Sequence, residues 1–333
     1  MGGYSVIDLH EDLSYYYVLE GAGHYRMAPL EEESPGREVD VPRYERANIR
    51  ILFAAIFPGV GGLRPPKRLP TPVFTAAQDV ILEHFKTYYL LSEMYGFEIV
   101  EGAGEAEGIV GDARWRLGLL LHLEGADPLS DAYDLRVYYR LGLRSLGLTW
   151  NYNNRYAASC MSKKDYGLTD DGYELVREAN RLGVIVDLAH ASKRTVIEAS
   201  EASKKPVIIS HASLRSFVDT PRNVDYEAVE AVASTGGVLG VTFIPGLVSS
   251  RDPTIEDVAS IILDLVERYG SQLPAIGSDY FGIPGLRPPR GLESAEGIQR
   301  LLSLLAERGL GDRDLERIAY GNALRVIKEN LGG

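Results

Sequence analysis

Residues 167–211 read GLTDDGYELVREANRLGVIVDLAHASKRTVIEASEASKKPVIISH. Apolar residues recur at three- and four-residue spacing over Asp170–Leu182, then run continuously over Val184–His190. A second periodic stretch, Ser192–Ser203, leads to a second continuous run, Pro206–His211. Periodicity near 3.6 marks a helix with one apolar face, and a short unbroken Val/Ile run marks a strand buried on both faces. Gly183 stands where a helix C-cap belongs, and Ser192 where an N-cap belongs. The alternation helix, strand, helix, strand is that of a parallel α/β protein.

The same alternation extends in both directions. Eight strands are expected in all: Ser5–His10, Ile49–Phe57, Leu117–Leu123, Arg144–Trp150, Val184–His190, Pro206–His211, Gly237–Phe243 and Ala275–Asp279. Further helices are expected over Ala76–Tyr95, Asp225–Ser234, Ile255–Tyr269, Ala295–Arg308 and Asp312–Leu331, with Thr254 as an N-cap. Eight such units close into a (β/α)8 TIM barrel, read here as a single domain over residues 1–333. An open doubly wound sheet competes, but no Gly-x-Gly-x-x-Gly follows the first strand. The long connections 12–48 and 58–73 fall on the C-terminal face, where barrels build their pockets.

Composition excludes several roles. The chain has 333 residues, 35 Lys+Arg against 47 Asp+Glu, and net charge −12, with 45% hydrophobic residues. That charge repels phosphate backbones, so no nucleic-acid partner is expected. The strongest apolar run stops at Pro58, well short of the ~20 residues a membrane span needs. The N-terminal MGGYSVIDLH is not a signal peptide, and the one cysteine, Cys160, fits a reducing compartment. A cytoplasmic location without membrane contact is the expectation.

Of six histidines, His10, His190 and His211 close proposed strands. Adjacent strands lie about 5 Å apart, so two such imidazoles reach one metal ion. Asp12, Glu124 and Asp279 occupy matching strand ends. Mixed imidazole and carboxylate ligands suit zinc or a similar divalent ion. Any one of these residues alone reads more simply as a core histidine or a cap; the joint pattern points to a metal site. His24 and His84 read as non-functional, with His84 on a solvated helix face, and His122 as core packing, although it shares a strand face with Glu124.

The segments IDLHED (7–12), HLEGAD (122–127), 167–192, ISHASLRS (209–216), PRNVD (221–225), IGSDYFG (276–282) and YGNALRVIKENL (320–331) together resemble the membrane (renal-type) dipeptidase family of the amidohydrolase superfamily. The resemblance implies a zinc-dependent dipeptidase acting through a hydroxide that bridges two zinc ions. His10 and Asp12 would hold one ion and His190 and His211 the other, with Glu124 between them. Asp279 would shuttle the proton, and Arg222 would bind the dipeptide's terminal carboxylate. The family also implies dipeptide substrates and a homodimer. One departure stands out: LTWNYNN places Trp150 where many relatives carry a substrate-contacting histidine. Trp150 and Asn151 are therefore the expected substrate contacts whose chemistry differs, since an indole donates one hydrogen bond and accepts no proton. Two other readings remain at this point: another binuclear amidohydrolase activity, such as a lactonase or deacetylase, and a barrel that binds dipeptides or metal without turnover.

Overall fold

The computed structural model describes residues 3–18, 29–58, 78–282 and 285–332. Its centre is a closed ring of eight parallel strands: β1 (Val6–Glu11), β2 (Ile49–Ile56), β4 (Gly118–Leu123), β5 (Leu143–Gly147), β6 (Ile185–Asp187), β7 (Ile208–Ala212), β8 (Val238–Val241) and β9 (Pro274–Ile276). Pairing of β2 with β4, Ile51 to Gly118 through Ile56 to Leu123, closes the ring, and helices surround it. The expected (β/α)8 barrel is the fold. A ninth strand, β3 (Glu98–Ile99), was not foreseen. It pairs with Gly118 and Leu119 of β4, beside the stretch that β5 leaves free by engaging only Leu121–Leu123.

The strands form because both of their faces find apolar partners. Leu52, Ala54 and Ile56 of β2 and Leu119, Leu121 and Leu123 of β4 belong to the outer core shared with the helices. Ile51, Phe53 and Leu120, with Ile7, Leu9, Ile185, Ile208, Val238 and Ala275, fill the inside. Ala323, Val326 and Ile327 of the last helix join that inner cluster and plug one end of the barrel. The other end is thereby left to polar side chains.

Local signals place the helices as expected. Thr169 accepts from Gly172 N at the start of Asp170–Leu182, and Gly183 ends it at φ +78°. Ser192 caps Lys193–Ala202 and Asp225 caps Tyr226–Ser234. Asp257 accepts from both the amide and the hydroxyl of Thr254. Short helices at Val41–Ala47, Ala103–Gly111 and Asp134–Arg140 were not anticipated, and a π-turn at Arg317–Gly321 interrupts the expected Asp312–Leu331 helix. Asn322 explains that break: its side-chain amide donates to the carbonyls of Ser271 and Pro274. His24 and most of the 58–73 connection lie outside the described residues. His84 corrects its reading as solvated: it is fully buried, with Nδ1 2.6 Å from Ser14 Oγ, and so ties the Gln78–Tyr95 helix to the turn after β1. Among the described residues no helix is long and apolar enough to cross a membrane.

Register slips near the mouth in three pairings: β1 with β2 between Asp8 and Glu11, β4 with β5 between Leu121 and His122, and β7 with β8 between Ile209 and Ala212. At the β7 slip, the Ser210 carbonyl crowds Gly240 of β8 and Gly277 after β9 so closely that a Cβ on either would collide with it. Glycine at 240 and 277 is thus a steric requirement of the slipped strand. Gly240→Ala should lower stability by about 1–3 kcal/mol through overpacking. Gly246→Ala, where a Cβ meets nothing within 4 Å, serves as the control. Urea midpoints read the difference, and equal midpoints would contradict the close approach.

Candidate metal centre at the barrel mouth

Six side chains from five strand ends meet at the open end of the barrel. His10 and Asp12 come from the end of β1, Glu124 follows β4, His190 follows β6, His211 lies in β7 and Asp279 follows β9. All six are buried. His190 sits at φ +63° and Asp279 at φ +64°, in the left-handed region that costs a non-glycine residue on the order of 1 kcal/mol or more. Backbone hydrogen bonds hold both: the His190 carbonyl accepts from Cys160 N at 2.7 Å, and Asp279 N donates to the His10 carbonyl at 3.0 Å. The strands therefore end earlier than expected at β6 and β9, and the two residues occupy turns that swing inward.

Glu124 Oε1 is the centre of the group. It lies 3.1 Å from His190 Nε2, 3.6 Å from His211 Nε2 and 3.8 Å from His10 Nε2. His190 Nε2 and His211 Nε2 are 3.1 Å apart. On the other side, His10 Nε2 is 3.3 Å from Asp12 Oδ2 and 3.8 Å from Asp279 Oδ1. Two overlapping sets, His10/Glu124/His211 and His10/Asp12/Asp279, each bring three ligand atoms within 4.8 Å of one another.

The hydrogen-bond network assigns the proton on two of the rings. His190 Nδ1 donates to Asn151 Oδ1 at 2.8 Å. Ser210 Oγ donates to Asp187 Oδ2 at 2.6 Å and so accepts from His211 Nδ1 at 2.8 Å. Both Nε2 atoms are left with lone pairs aimed at Glu124 and at each other, an arrangement that a cation stabilises. Burial, with Arg222 beside His190 and His10 beside His211, pushes both imidazoles well below their ordinary range, so both stay neutral. Burial raises Glu124 to about 7 and lifts Asp279 well above the usual carboxylate range, the latter helped by Asp12 and Glu124. For His10, burial opposes the charge, but Glu124, Asp12 and Asp279 outweigh it and carry the ring to about 10. Among the described residues, neither ring nitrogen of His10 has a hydrogen-bond partner. A Cβ at Gly282 would land on Asp279 Oδ1 and Asp12 Oδ2, so the chain keeps that space open. Neutral imidazoles, crowded buried carboxylates and orphaned ring nitrogens together fit a divalent ion with nitrogen and oxygen preference.

The remaining expected residues lie beside His190 and His211. Arg222, half-buried, donates from Nη2 to the His211 carbonyl at 2.8 Å. Trp150 stands 6.0 Å from the His190 ring and packs against Phe57 at 5.1 Å and Tyr152 at 5.6 Å, ring centre to ring centre. Asn151, expected to touch substrate, has its carbonyl engaged by His190. Asp187, Ser210 and Asp8 escaped notice in the sequence, although acids inside apolar strands (VIVDL and VIDL) were a visible signal. Asp8 Oδ1 accepts from the amides of His10 and Ser278, each adjacent to or part of the ligand set.

A family profile described as membrane dipeptidase (peptidase family M19) matches residues 1–331. A protein of Schizosaccharomyces pombe, named as an uncharacterized dipeptidase, is 30% identical over 345 residues, covering 99% of this chain and 82% of that one. Dipeptidase tcpJ of Claviceps purpurea is 33% identical over 216 residues, or 63% of this chain. Dipeptidase verJ of Clonostachys rogersoniana is 34% identical over 215 residues, or 64% of this chain. The matches span 50% and 55% of those two fungal proteins, about half their length. The crystal structure of a metallopeptidase from Rhodobacter sphaeroides, liganded with a phosphinate mimic of the dipeptide L-Ala-D-Ala, shares the fold. It superposes with a TM-score of 0.82 at 21% identity, over 98% of this chain and 99% of that chain.

A cation that binds only the folded mouth stabilises it by mass action. Chelator-stripped protein should therefore melt below protein reloaded with zinc, the gap reaching about 2.7 kcal/mol at a free zinc level about 100 times Kd. Lowering the pH should shrink the gap, because protons compete for the same imidazoles and carboxylates. Melting curves that ignore zinc at every pH would remove the metal-centre reading.

Proposed function

The chain belongs to the membrane dipeptidase family, and on that premise we propose that it hydrolyses the peptide bond of dipeptides with the help of two divalent ions, zinc being the fitting choice. The observation that carries this reading is the single oxygen, Glu124 Oε1, lying within 4 Å of three imidazole nitrogens. Glu124 would bridge the two ions, with His190 and His211 completing one position and His10 and Asp12 the other. Such ions, when bound, polarise the scissile carbonyl and lower the pKa of a shared water toward neutrality.

The protein's own groups do the rest. Asp279 lies beside His10 without a shared hydrogen bond, its Oδ1 3.8 Å from Nε2. With cations bound beside it, this buried carboxylate would stay ionised and be placed to take the proton from the attacking water and deliver it to the departing amine. Arg222 keeps its guanidinium at the rim, tethered to the His211 carbonyl, and would pair with the terminal carboxylate of a dipeptide. That pairing measures substrate length: a longer peptide places no carboxylate there. Trp150, Phe57 and Tyr152 form an aromatic wall beside His190, which favours an apolar side chain on the substrate. Cys160, a free thiol, suits a cytoplasmic setting.

A panel of L-L, L-D and glycine-containing dipeptides, assayed with stripped protein and with added zinc, tests the activity. Zinc-restored cleavage is the expected result; two ions bound with no cleavage of any member would refute it. Arg222→Ala should lower kcat/KM for dipeptides by about 10–100-fold, the worth of a hydrogen bond to a charged group, and spare the corresponding C-terminal amides. Equal losses on both would remove the carboxylate clamp. Asp279→Asn should keep its metal and lose about 10²–10⁴ in kcat. Loss of metal from that variant would make Asp279 a ligand instead of a proton carrier.

A further inference from the structure

Asp187 closes β6 three residues before His190 and is buried inside the barrel. Its two oxygens have different tasks. Oδ1 accepts from Ala189 N at 3.0 Å and from Ser210 N at 2.8 Å. Oδ2 accepts the Ser210 hydroxyl at 2.6 Å, with His122 Nε2 3.4 Å away. Ser210 Oγ, its proton directed at Asp187, accepts in turn from His211 Nδ1 at 2.8 Å.

One carboxylate thus reaches two histidines by two routes. Through the Ser210 hydroxyl it fixes the His211 tautomer, putting the proton on Nδ1 and the lone pair on Nε2. Through the Ala189 amide it fastens the turn that carries His190 into its left-handed conformation at φ +63°. The other side of the centre is supported differently: Asp8 reaches His10 only through its backbone amide, and among the described residues the His10 ring has no hydrogen bond of its own.

We propose that Asp187 and Ser210 are positioning residues that hold His211 and His190 as Nε2 ligands of one ion, leaving the His10/Asp12 position independent of them. The proposal rests on the metal-centre reading above and adds an asymmetry to it. Ser210→Ala removes the relay without adding volume. Asp187→Asn keeps the shape and one acceptor oxygen but presents an NH2 to Ser210. The hydroxyl must then donate to His211 Nδ1, which moves the imidazole proton to Nε2 and blocks the ligand atom. Ser200→Ala is the control, since Ser200 on the Lys193–Ala202 helix is also buried but its hydroxyl, among the described residues, has no hydrogen-bond partner.

The test is a zinc titration of the stripped full-length proteins against a chelating indicator, with melting of the metal-free proteins alongside. Removing an outer partner of a ligating histidine typically costs about 10–100-fold in affinity. Wild type should take up two ions. Ser210→Ala and Asp187→Asn should each weaken one uptake step by that factor, leave the other step in place and melt like wild type when metal-free. Ser200→Ala should change neither step. Unchanged zinc affinity in both relay variants would overturn the proposal, as would equal weakening of both steps together with a lowered metal-free melting point. A wild type that binds fewer than two ions would instead bring down the metal-centre reading, and this inference with it.

Discussion

The mouth of this barrel is organised around one carboxylate oxygen that has more basic neighbours than it can satisfy. Glu124 Oε1 lies 3.1–3.8 Å from three imidazole Nε2 atoms, while Asp12 and Asp279 press on the same histidine from the other side. Buried charges are tolerated only when paired, and crowded carboxylates without a cation take up protons instead. The displaced proton affinities of Glu124, Asp279 and His10 are three expressions of that single constraint. A divalent ion would resolve all three at once.

The scaffold accepts local cost to hold these groups. His190 and Asp279 occupy left-handed backbone positions, and three strand pairings slip register near the mouth. The compensation is distributed over rigid backbone: Asp8 and Asp187 each collect two strand-end amides, and glycines at 240 and 277 make room for the displaced Ser210 carbonyl. The two aspartates repeat one device on opposite sides of the ring. Each is a strand residue whose side chain accepts from amides next to the histidines at the mouth. Strain at a functional site is thus balanced by hydrogen bonds that belong to the fold.

Side chains of a different chemistry stand beside the histidines and carboxylates. Trp150, Phe57 and Tyr152 make an apolar flank, Arg222 a cationic one, and the acidic cluster lies between them. Trp150 does not disturb the ligand set, because its contact with His190 is through the ring face while Asn151 holds the His190 nitrogen.

Much of this was legible in the sequence. Continuous apolar runs such as Ile51–Ile56 and Gly118–Leu121 call for burial on both faces, so the strands, their parallel pairing and the closure into a barrel followed from pattern alone. The caps Thr169, Ser192 and Asp225 act within a few residues and were equally readable. The residues of the centre were visible as acids and histidines at strand ends. Other features depended on partners far away in the chain. The burial of His84 required Ser14, and the break before the final helix required the carbonyls of Ser271 and Pro274. The sequence by itself placed these residues at or just beyond strand ends, because continuous apolar runs mark the strands, while the points where β6 and β9 stop were set by the tertiary structure. Only the tertiary structure decided which nitrogen of each histidine faces inward and which carboxylate holds it there. Those depend on hydrogen bonds of under 3 Å between neighbouring strands, and no one-dimensional pattern records them.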